Sequence, residues 1–237
     1  QDLTVYGASP GDQLARALVA GDVNGDGIDD IILGAPFGDG PASDREDAGQ
    51  IYILLGSSSL GRYIRVIDLG QQSAGVTIYG ATEGDLAGFA LLVADINGDG
   101  IEDAIISAFL ADGPQDSRPE AGEAYVLYGS SALAGTLDLE DQRPDVTVYG
   151  AQADDRLGED VAAGDVNGDG VDDLVLPAPF AAGPSDDSRA TGETYVIFGP
   201  PPAITDLAQD EADVIVYGVD TGDQLGHSLA VGDLNGD

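Results

Sequence analysis

A nine-residue segment rich in aspartate recurs along the chain, and this repetition constrains the fold more than any other feature. The three complete copies are DVNGDGIDD at 22–30, DINGDGIED at 95–103 and DVNGDGVDD at 165–173, and a fourth copy begins at 233. Each complete copy has oxygen-bearing side chains at positions 1, 3, 5 and 9 and glycine at position 6. Oxygen ligands suit calcium, and the glycine permits the turn that returns the later ligands to an ion. The sequence therefore predicts a series of calcium-binding loops.

Every complete loop offers the same predicted ligands, namely four side chains and the backbone carbonyl at position 7. They are Asp22, Asn24, Asp26, Asp30 and the carbonyl of Ile28 in the first loop, Asp95, Asn97, Asp99, Asp103 and the carbonyl of Ile101 in the second, and Asp165, Asn167, Asp169, Asp173 and the carbonyl of Val171 in the third. The incomplete fourth loop contributes Asp233, Asn235 and Asp237. The alternative is a plain Asn-Gly turn, but clustered carboxylates without a cation would repel one another. We expect calcium as a structural cofactor.

EF-hand loops share the opening DxNxDG but differ further along. An EF-hand places a bidentate acid at position 12 and is flanked by helices. Position 12 is apolar in all three loops: Leu33, Ile106 and Leu176. The sequence therefore excludes the EF-hand class. The acids at position 8 are expected to point away from the ion as solvated charges: Asp29, Glu102 and Asp172.

Short apolar runs surround every loop in a fixed order. One run leads into the loop, a second leaves it, a third follows a polar connection and a fourth closes the unit; in the first unit they lie at 17–22, 29–37, 49–56 and 76–80. The runs are rich in Val, Ile, Leu and Tyr and are bounded by Gly, Pro and Asp, which is typical of strands. Successive loops begin 73, 70 and 68 residues apart. We predict an all-β fold of β-propeller blades, each with four antiparallel strands and an aspartate-rich hairpin turn.

The repeats divide a single propeller region, 1–237, into units at approximately 8–80, 81–150 and 151–218, with a partial unit at 219–237. TVYG at 4–7 matches the fourth strand of a preceding unit. Propellers close with about four to eight blades. We therefore expect either part of a longer propeller, which a chain stopping inside a loop favours, or a ring completed by other chains. Unpaired strand edges at both ends favour the second interpretation.

The units resemble the FG-GAP repeats of integrin α-subunit propellers over essentially the whole chain. The GAP element is intact at 34–36 and altered at 107–109 and 177–179. The positions that correspond to FG are retained to different degrees: 157–158, 225–226, 87–88 and 14–15. The resemblance implies a seven-bladed propeller with calcium in the hairpin loops of one face, of which this chain supplies about three and a half repeats. We expect a bacterial or archaeal-type extracellular member of the family.

Charge and composition limit the kinds of partner and the environments that the sequence allows. The chain has 44 acidic residues against 8 basic ones and a formal net charge of −36, so it repels nucleic acid and anionic membranes. No apolar run approaches the ~20 residues of a membrane span, and the absence of cysteine excludes disulfides and thiolate metal sites. Calcium loops that work at ~10⁻⁴ to 10⁻³ M fit the outside of a cell. We expect a secreted protein, extracellular or at the cell surface.

The connections between second and third strands, at 38–48, 110–121 and 181–191, also repeat. Each contains Gly-Pro followed by Asp and one arginine: Arg45, Arg118 and Arg189. One interpretation is that each arginine pins its loop to neighbouring carboxylates. The other is a ring of partner-recognition loops, which the resemblance places on the face opposite the calcium hairpins.

No residue pattern indicates catalysis. His227 with Ser228 lacks the context of a catalytic dyad, and the recurrent tyrosines at 6, 79, 149 and 217 are expected to be packing residues. The resemblance favours a non-enzymatic, calcium-stabilised extracellular module for adhesion or protein interaction. Two alternatives remain. One is a structural subunit that assembles end to end, through its open strand edges, into a surface fibre or sheath. The other is an accessory or carbohydrate-binding propeller of a secreted enzyme, although the chain has no Trp.

Overall fold

The computed structural model describes residues 3–60, 62, 66–184, 190–210 and 212–232. Within these residues the chain is almost entirely strand and turn, with a single turn of 3-10 helix at Pro114–Asp116. The strands are β1 (Thr4–Tyr6), β2 (Leu18–Gly21), β3 (Asp30–Ala35), β4 (Gln50–Leu54), β5 (Val66–Asp68), β6 (Val76–Tyr79), β7 (Leu91–Ala94), β8 (Asp103–Ala108), β9 (Glu123–Leu127), β10 (Gly135–Asp138), β11 (Val146–Tyr149), β12 (Ala162–Gly164), β13 (Asp173–Ala178), β14 (Glu193–Ile197), β15 (Ile204–Asp206) and β16 (Val214–Tyr217).

Three sheets follow one another along the chain, and each contains the predicted four-stranded antiparallel meander. The strand orders are β2-β3-β4-β6 in the first sheet, β7-β8-β9-β11 in the second and β12-β13-β14-β16 in the third. These are propeller blades, so the predicted all-β fold with partial propeller architecture is confirmed.

Two of the blades have a fifth strand that the sequence did not indicate. β10 pairs in parallel with β6 of the preceding blade, and β15 pairs in the same way with β11. β1 and β5 form a separate two-stranded parallel sheet with the equivalent arrangement. Each added strand lies in the connection between the third and fourth strands of its own repeat, so it joins that repeat to the edge of the one before. The expectation of four strands per blade was therefore incomplete.

The hydrophobic core lies between successive blades. Ile32, Ile51 and Ile53 of the first blade pack with Ile106 and Tyr125 of the second. The opposite face of the second blade contributes Ile105, Val126 and Val148 to a second cluster, which includes Leu174 and Leu176 of the third. Neighbouring residues in β8 thus pack into different cores. A central strand buried on both faces is apolar without interruption, which explains why these runs lack alternation with polar residues.

The FG and GAP positions of successive blades lie close together. A Cβ added to Gly34 would lie 2.1 Å from the carbonyl oxygen of Gly88 in the next blade. At the next interface Ser107 occupies the place of Gly34, and a Cβ on its neighbour Gly158 would lie 3.2 Å from the Ser107 Cβ. The second interface is therefore wide enough for a small side chain, and the first is not.

We expect Gly34→Ala to destabilise the fold by about 1–3 kcal/mol, the range for overpacking a tight interior. Thermal unfolding monitored by circular dichroism would measure this change. Gly232→Ala serves as the control, because an added Cβ there would meet no atom within 4 Å. Equal melting temperatures for the two variants would contradict the close approach of the blades.

Candidate metal centre

The aspartate-rich segments lie at equivalent places in the three blades. Each connects the first and second strands of its sheet, as β2 to β3, β7 to β8 and β12 to β13. In the first blade Gly21 pairs with Asp30, so the loop is closed by the strand ladder itself. This is the hairpin turn that the sequence predicts.

Within the first loop, the side chains at positions 1, 3 and 5 accept hydrogen bonds from the loop backbone. The Asp22 carboxylate accepts from the N–H groups of Asp26 at 3.0 Å and Gly27 at 2.7 Å. Asn24 Oδ1 accepts from Asp26 N at 2.9 Å, and Asp26 Oδ1 accepts from Ile28 N at 2.9 Å. Gly27 has φ +83°, a conformation that favours glycine. The second and third loops repeat these contacts.

The aspartate at position 9 anchors each loop to its blade. Asp30, Asp103 and Asp173 are completely buried. In the first blade Asp30 Oδ1 accepts hydrogen bonds from Asn24 Nδ2 at 3.2 Å and from Gly56 N at 2.6 Å. The other two blades reproduce both contacts with the equivalent residues, which are Asn97 and Gly129 for Asp103 and Asn167 and Gly199 for Asp173.

The glycine donors at 56, 129 and 199 were missed in the sequence analysis. The signal that could have found them is their fixed place after the third apolar run of every unit (ILLG, VLYG and VIFG).

The electrostatics of position 9 favour a cation. Burial is the main cause that raises the pKa of Asp103 to about 6; the N–H groups of Gly129 and Ile96 oppose the rise, and the charges of Asp99 and Asp95 add to it. Burial likewise raises the pKa of Asp30, with contributions from Asp26 and Asp22. The carboxylates at positions 1, 5 and 9 are therefore close enough to repel one another. A bound cation would remove this repulsion.

One buried carboxylate oxygen of the first loop lacks a hydrogen bond that its equivalents in the other two loops make. Asp30 Oδ2 is buried and makes no hydrogen bond of normal geometry, although the backbone N–H of Val23 lies near the carboxylate and lowers its pKa. The equivalent atoms Asp103 Oδ2 and Asp173 Oδ2 accept from Ile96 N and Val166 N. An unpartnered buried carboxylate oxygen is unfavourable, and a metal ion is one partner that would satisfy it. Among the residues that the structure describes, no three His, Cys, Asp or Glu side chains form a ready-made metal-holding group; each loop instead mixes carboxylates with an amide and a backbone carbonyl.

These donors fit a hard cation such as calcium. In the first loop the residues at positions 1, 3, 5 and 9 are linked by hydrogen bonds, and the other two complete loops repeat these links. Asp233, Asn235 and Asp237 of the fourth loop lie outside the described residues. The calcium assignment itself stays a prediction.

The acids at position 8 do not all behave as predicted. Asp29 is exposed, as expected. Glu102 and Asp172 are half-buried, and each accepts a hydrogen bond from the preceding loop, Glu102 from Asp22 N at 2.7 Å and Asp172 from Asp95 N at 3.3 Å. The expectation of solvated charges was wrong for these two, because the neighbouring blade brings an N–H group within reach.

The arginine loops are tied to the added parallel strands. Arg45 is buried and donates to the carbonyl oxygens of Gly80 and Ala81 and to Asp138 Oδ2 of β10 at 2.8 Å. Arg118 repeats the pattern in the second blade, with Gly150, Ala151 and Asp206 of β15 as its partners. Both contacts agree with the pinning interpretation. Arg189 lies outside the described residues, and a role of these loops in partner contact stays a prediction.

The remaining candidates have ordinary roles. His227 is exposed and lies 3.3 Å from the Glu159 carboxylate. Of the four tyrosines expected to pack, Tyr6 and Tyr217 are exposed, so that expectation was wrong for these two. The core tyrosines are instead Tyr52, Tyr125 and Tyr195, on the third strand of each blade. In the part of the chain that the structure describes, no helix has the length and apolarity needed to cross a membrane.

A buried acidic pair, which sequence reasoning missed, lies near Tyr125. The pair consists of Asp85 and Glu123, which are both buried. The Tyr125 hydroxyl donates to Glu123 Oε2 at 2.7 Å. Burial raises the pKa of Asp85 to about 8, with the Glu123 charge as the next cause, and burial raises the pKa of Glu123 to about 7. The folded protein therefore binds protons that the unfolded chain releases above about pH 4.

This pair makes stability fall as the pH rises from about 4 towards 8, because the unfolded state binds fewer protons than the folded state over that range. We expect Asp85→Asn to gain melting temperature relative to the parent between pH 5 and pH 8, with no further gain above pH 8. Calorimetry in excess chelator would measure it. The exposed Asp29→Asn variant is the control, and a constant difference between Asp85→Asn and the parent across the range would contradict the burial of a protonated Asp85.

Fold and site together define a class: a β-propeller region whose blades carry an aspartate-rich hairpin. The FG-GAP repeat family matches residues 14–54 and 157–197. The chain is 32% identical to the phosphatidylinositol-glycan-specific phospholipase D of Rattus norvegicus over 219 residues, 92% of this chain and 24% of that protein. It is 28% identical to integrin alpha pat-2 of Caenorhabditis briggsae over 235 residues, 95% of this chain and 17% of that protein.

The chain belongs to the FG-GAP repeat family and is related to integrin α chains. A further relative is integrin alpha-PS2 of Drosophila melanogaster, 25% identical over 191 residues, 79% of this chain and 12% of that protein. The chain thus spans a quarter or less of these relatives. The three relatives are animal proteins, so they give no support to the expected bacterial or archaeal type.

Proposed function

We propose that this chain is a calcium-stabilised propeller region that serves adhesion or protein interaction outside the cell. The observation that carries the proposal is the threefold recurrence of one donor set, with a buried aspartate at the end of every loop. The relationship to integrin α chains supports the interaction role. The extracellular setting follows from the calcium concentration at which such loops work.

Calcium would act by stabilising the conformation of the hairpins. The side chains at positions 1, 3, 5 and 9 and the carbonyl at position 7 would hold the ion, and the ion would neutralise mutually repelling carboxylates. Hydrogen bonds from the protein would hold the ligands in position: Gly56 N donates to Asp30, and the loop N–H groups orient Asp22 and Asp26. No reacting group is needed, and we propose no catalysis by this region.

Mass action gives the size of the effect. With a dissociation constant of ~0.1 mM and ~1–2 mM calcium, each occupied site adds roughly 1.5 kcal/mol to the free energy of unfolding. Three sites together add about 4–5 kcal/mol, against a total of ~5–15 kcal/mol for a typical domain. The metal would therefore supply a large share of the net stability.

We expect excess EGTA to lower the melting temperature by about 8–20 °C, since 1 kcal/mol corresponds to roughly 2–4 °C in a chain of this size. Asp103→Asn should lose about a third of this calcium response, because it disables one of three sites. Asp29→Asn is the matched control from position 8 of a loop. Identical melting curves with calcium and with EGTA would overturn the calcium proposal.

The interaction role would use surfaces away from the hairpins. The first two arginine loops are preorganised by the contacts of Arg45 and Arg118 with the parallel strands, and a formal net charge of −36 favours a basic partner. Binding to a basic protein surface is testable by titration against a lysine-rich peptide at two salt concentrations. Specific interaction predicts a salt-sensitive affinity that is lost when the arginine loop 38–48 is replaced by a Gly/Ser segment of equal length.

End-to-end assembly is a second candidate, and one observation favours it. The edges of β6 and β11 are covered by β10 and β15, whereas β16 has no parallel neighbour among the described residues. Val214, Val216 and Tyr217 of β16 are more than 40% exposed, and in the first two blades the equivalent edge is covered by a parallel strand of the following repeat. Assembly would require that a strand of another chain take this place. Light scattering over a hundredfold range of concentration tests this candidate, because a mass that stays constant would exclude assembly of this region.

The third candidate is an accessory region of a secreted enzyme. The observation in its favour is the match to phosphatidylinositol-glycan-specific phospholipases D, of which the chain covers 24% in the rat protein. Under this candidate the region would support an activity located in another part of a longer protein. We expect no cleavage of a glycosylphosphatidylinositol substrate by the region alone.

A further inference from the structure

The acids at position 8 connect successive loops. Glu102 belongs to the second loop, yet its Oε2 accepts a hydrogen bond from Asp22 N, at position 1 of the first loop, over 2.7 Å. Asp172 of the third loop accepts from Asp95 N, at position 1 of the second loop, over 3.3 Å. The same contact is thus made twice, each time from one blade to the preceding one.

The residues around the two contacts are matched in size. A Cβ added to Gly21 would lie 2.3 Å from Glu102 Oε2, so the long glutamate reaches the loop beside a residue that has no side chain. At the second contact the corresponding residue is Ala94, and the acid is the shorter Asp172. The two contacts thus differ in the length of the acid and in the residue beside it.

Packing between the loops reinforces the contacts. A Cβ on Gly25 would lie 3.0 Å from Ile101 Cδ1, and a Cβ on Gly98 would lie 2.9 Å from Val171 Cγ2. Glycine at position 4 of one loop therefore receives the apolar side chain from position 7 of the next. In the second pair Asp172 N also donates to the carbonyl oxygen of Asp95 at 3.2 Å. The second and third loops are each held against the preceding loop by both polar and apolar contacts.

We infer that Glu102 and Asp172 are positioning residues that hold the first calcium ligand of the preceding loop in place. The inference rests on the proposed calcium function. Each acid fixes the backbone that carries the first ligand of the preceding loop. In its own loop it lies between the last two ligands, the carbonyl at position 7 and the aspartate at position 9. Each acid therefore acts on a ligand of the preceding loop rather than on a ligand of its own loop.

The experiment is a calcium titration followed by ¹H–¹⁵N NMR, which reports each loop separately. The probes are the amides of Gly27, Gly100 and Gly170, each of which donates to the position-1 aspartate of its own loop. Loss of a residue that orients a metal ligand typically costs about tenfold or more in affinity. We expect Glu102→Ala to raise the calcium midpoint at Gly27 by about tenfold and to leave the midpoint at Gly100 within about twofold of the parent.

Three further variants separate positioning from charge and test the second contact. Glu102→Gln removes the charge but keeps an oxygen acceptor, so we expect it to restore most of the affinity at Gly27. Asp29→Ala is the control at position 8 of the first loop, where the acid is exposed, and should leave Gly27 unchanged. Asp172→Ala should repeat the effect one loop further on, raising the midpoint at Gly100.

The outcomes are distinct. A shift at Gly100 rather than Gly27 in Glu102→Ala would show a local effect and overturn the inference. Equal weakening by Glu102→Ala, Glu102→Gln and Asp29→Ala would show a general charge effect, which also overturns it. Absence of any calcium response in the parent chain would overturn the calcium proposal and the inference together, whereas a normal parent response without selective shifts would overturn the inference alone.

Discussion

The buried aspartate at the end of each hairpin loop is the contact on which the blades depend. Asp30 and its equivalents sit at the first residue of the second strand, where one oxygen joins the loop asparagine to the glycine that follows the third strand. One carboxylate therefore links the turn, the central ladder and the far connection of the blade. Because it is completely buried, its charge is tolerable only with strong hydrogen bonds or a cation beside it. The stability of each blade and its proposed calcium site thus depend on the same carboxylate.

Much of this arrangement could be predicted from the sequence. The loops, the four-stranded meander and the hairpin position of each loop follow from the spacing of aspartates, glycines and apolar runs. The strands β5, β10 and β15 could not be predicted, because they are three or four residues long and pair with a neighbouring repeat rather than their own. Strands this short show no periodic pattern of apolar residues. They form because the edge strand of the preceding blade offers hydrogen-bond partners.

The same limit explains the errors at the candidate site. The side chain of Glu102 was expected in solvent because its own loop offers it no partner, and its actual partner, Asp22 N, comes from another blade. Arg45 was expected to meet carboxylates, but the particular one, Asp138, lies on a strand that was not foreseen. The acidic pair of Asp85 and Glu123 was hidden for a further reason: with so many acids in the chain, sequence alone does not show which of them lose contact with water.

Because of the parallel strands, a sequence repeat and a structural blade do not have the same boundaries. The blade built from residues 91–149 is completed by β15, Ile204–Asp206, which belongs to the next sequence repeat. A single repeat excised at its sequence boundaries would leave one edge bare and carry a short strand with no edge to join. Shuffling, deletion or transplantation of blades in this architecture therefore succeeds only when a segment reaches past the end of its own repeat into the following one. Evolutionary gain or loss of a blade meets the same requirement.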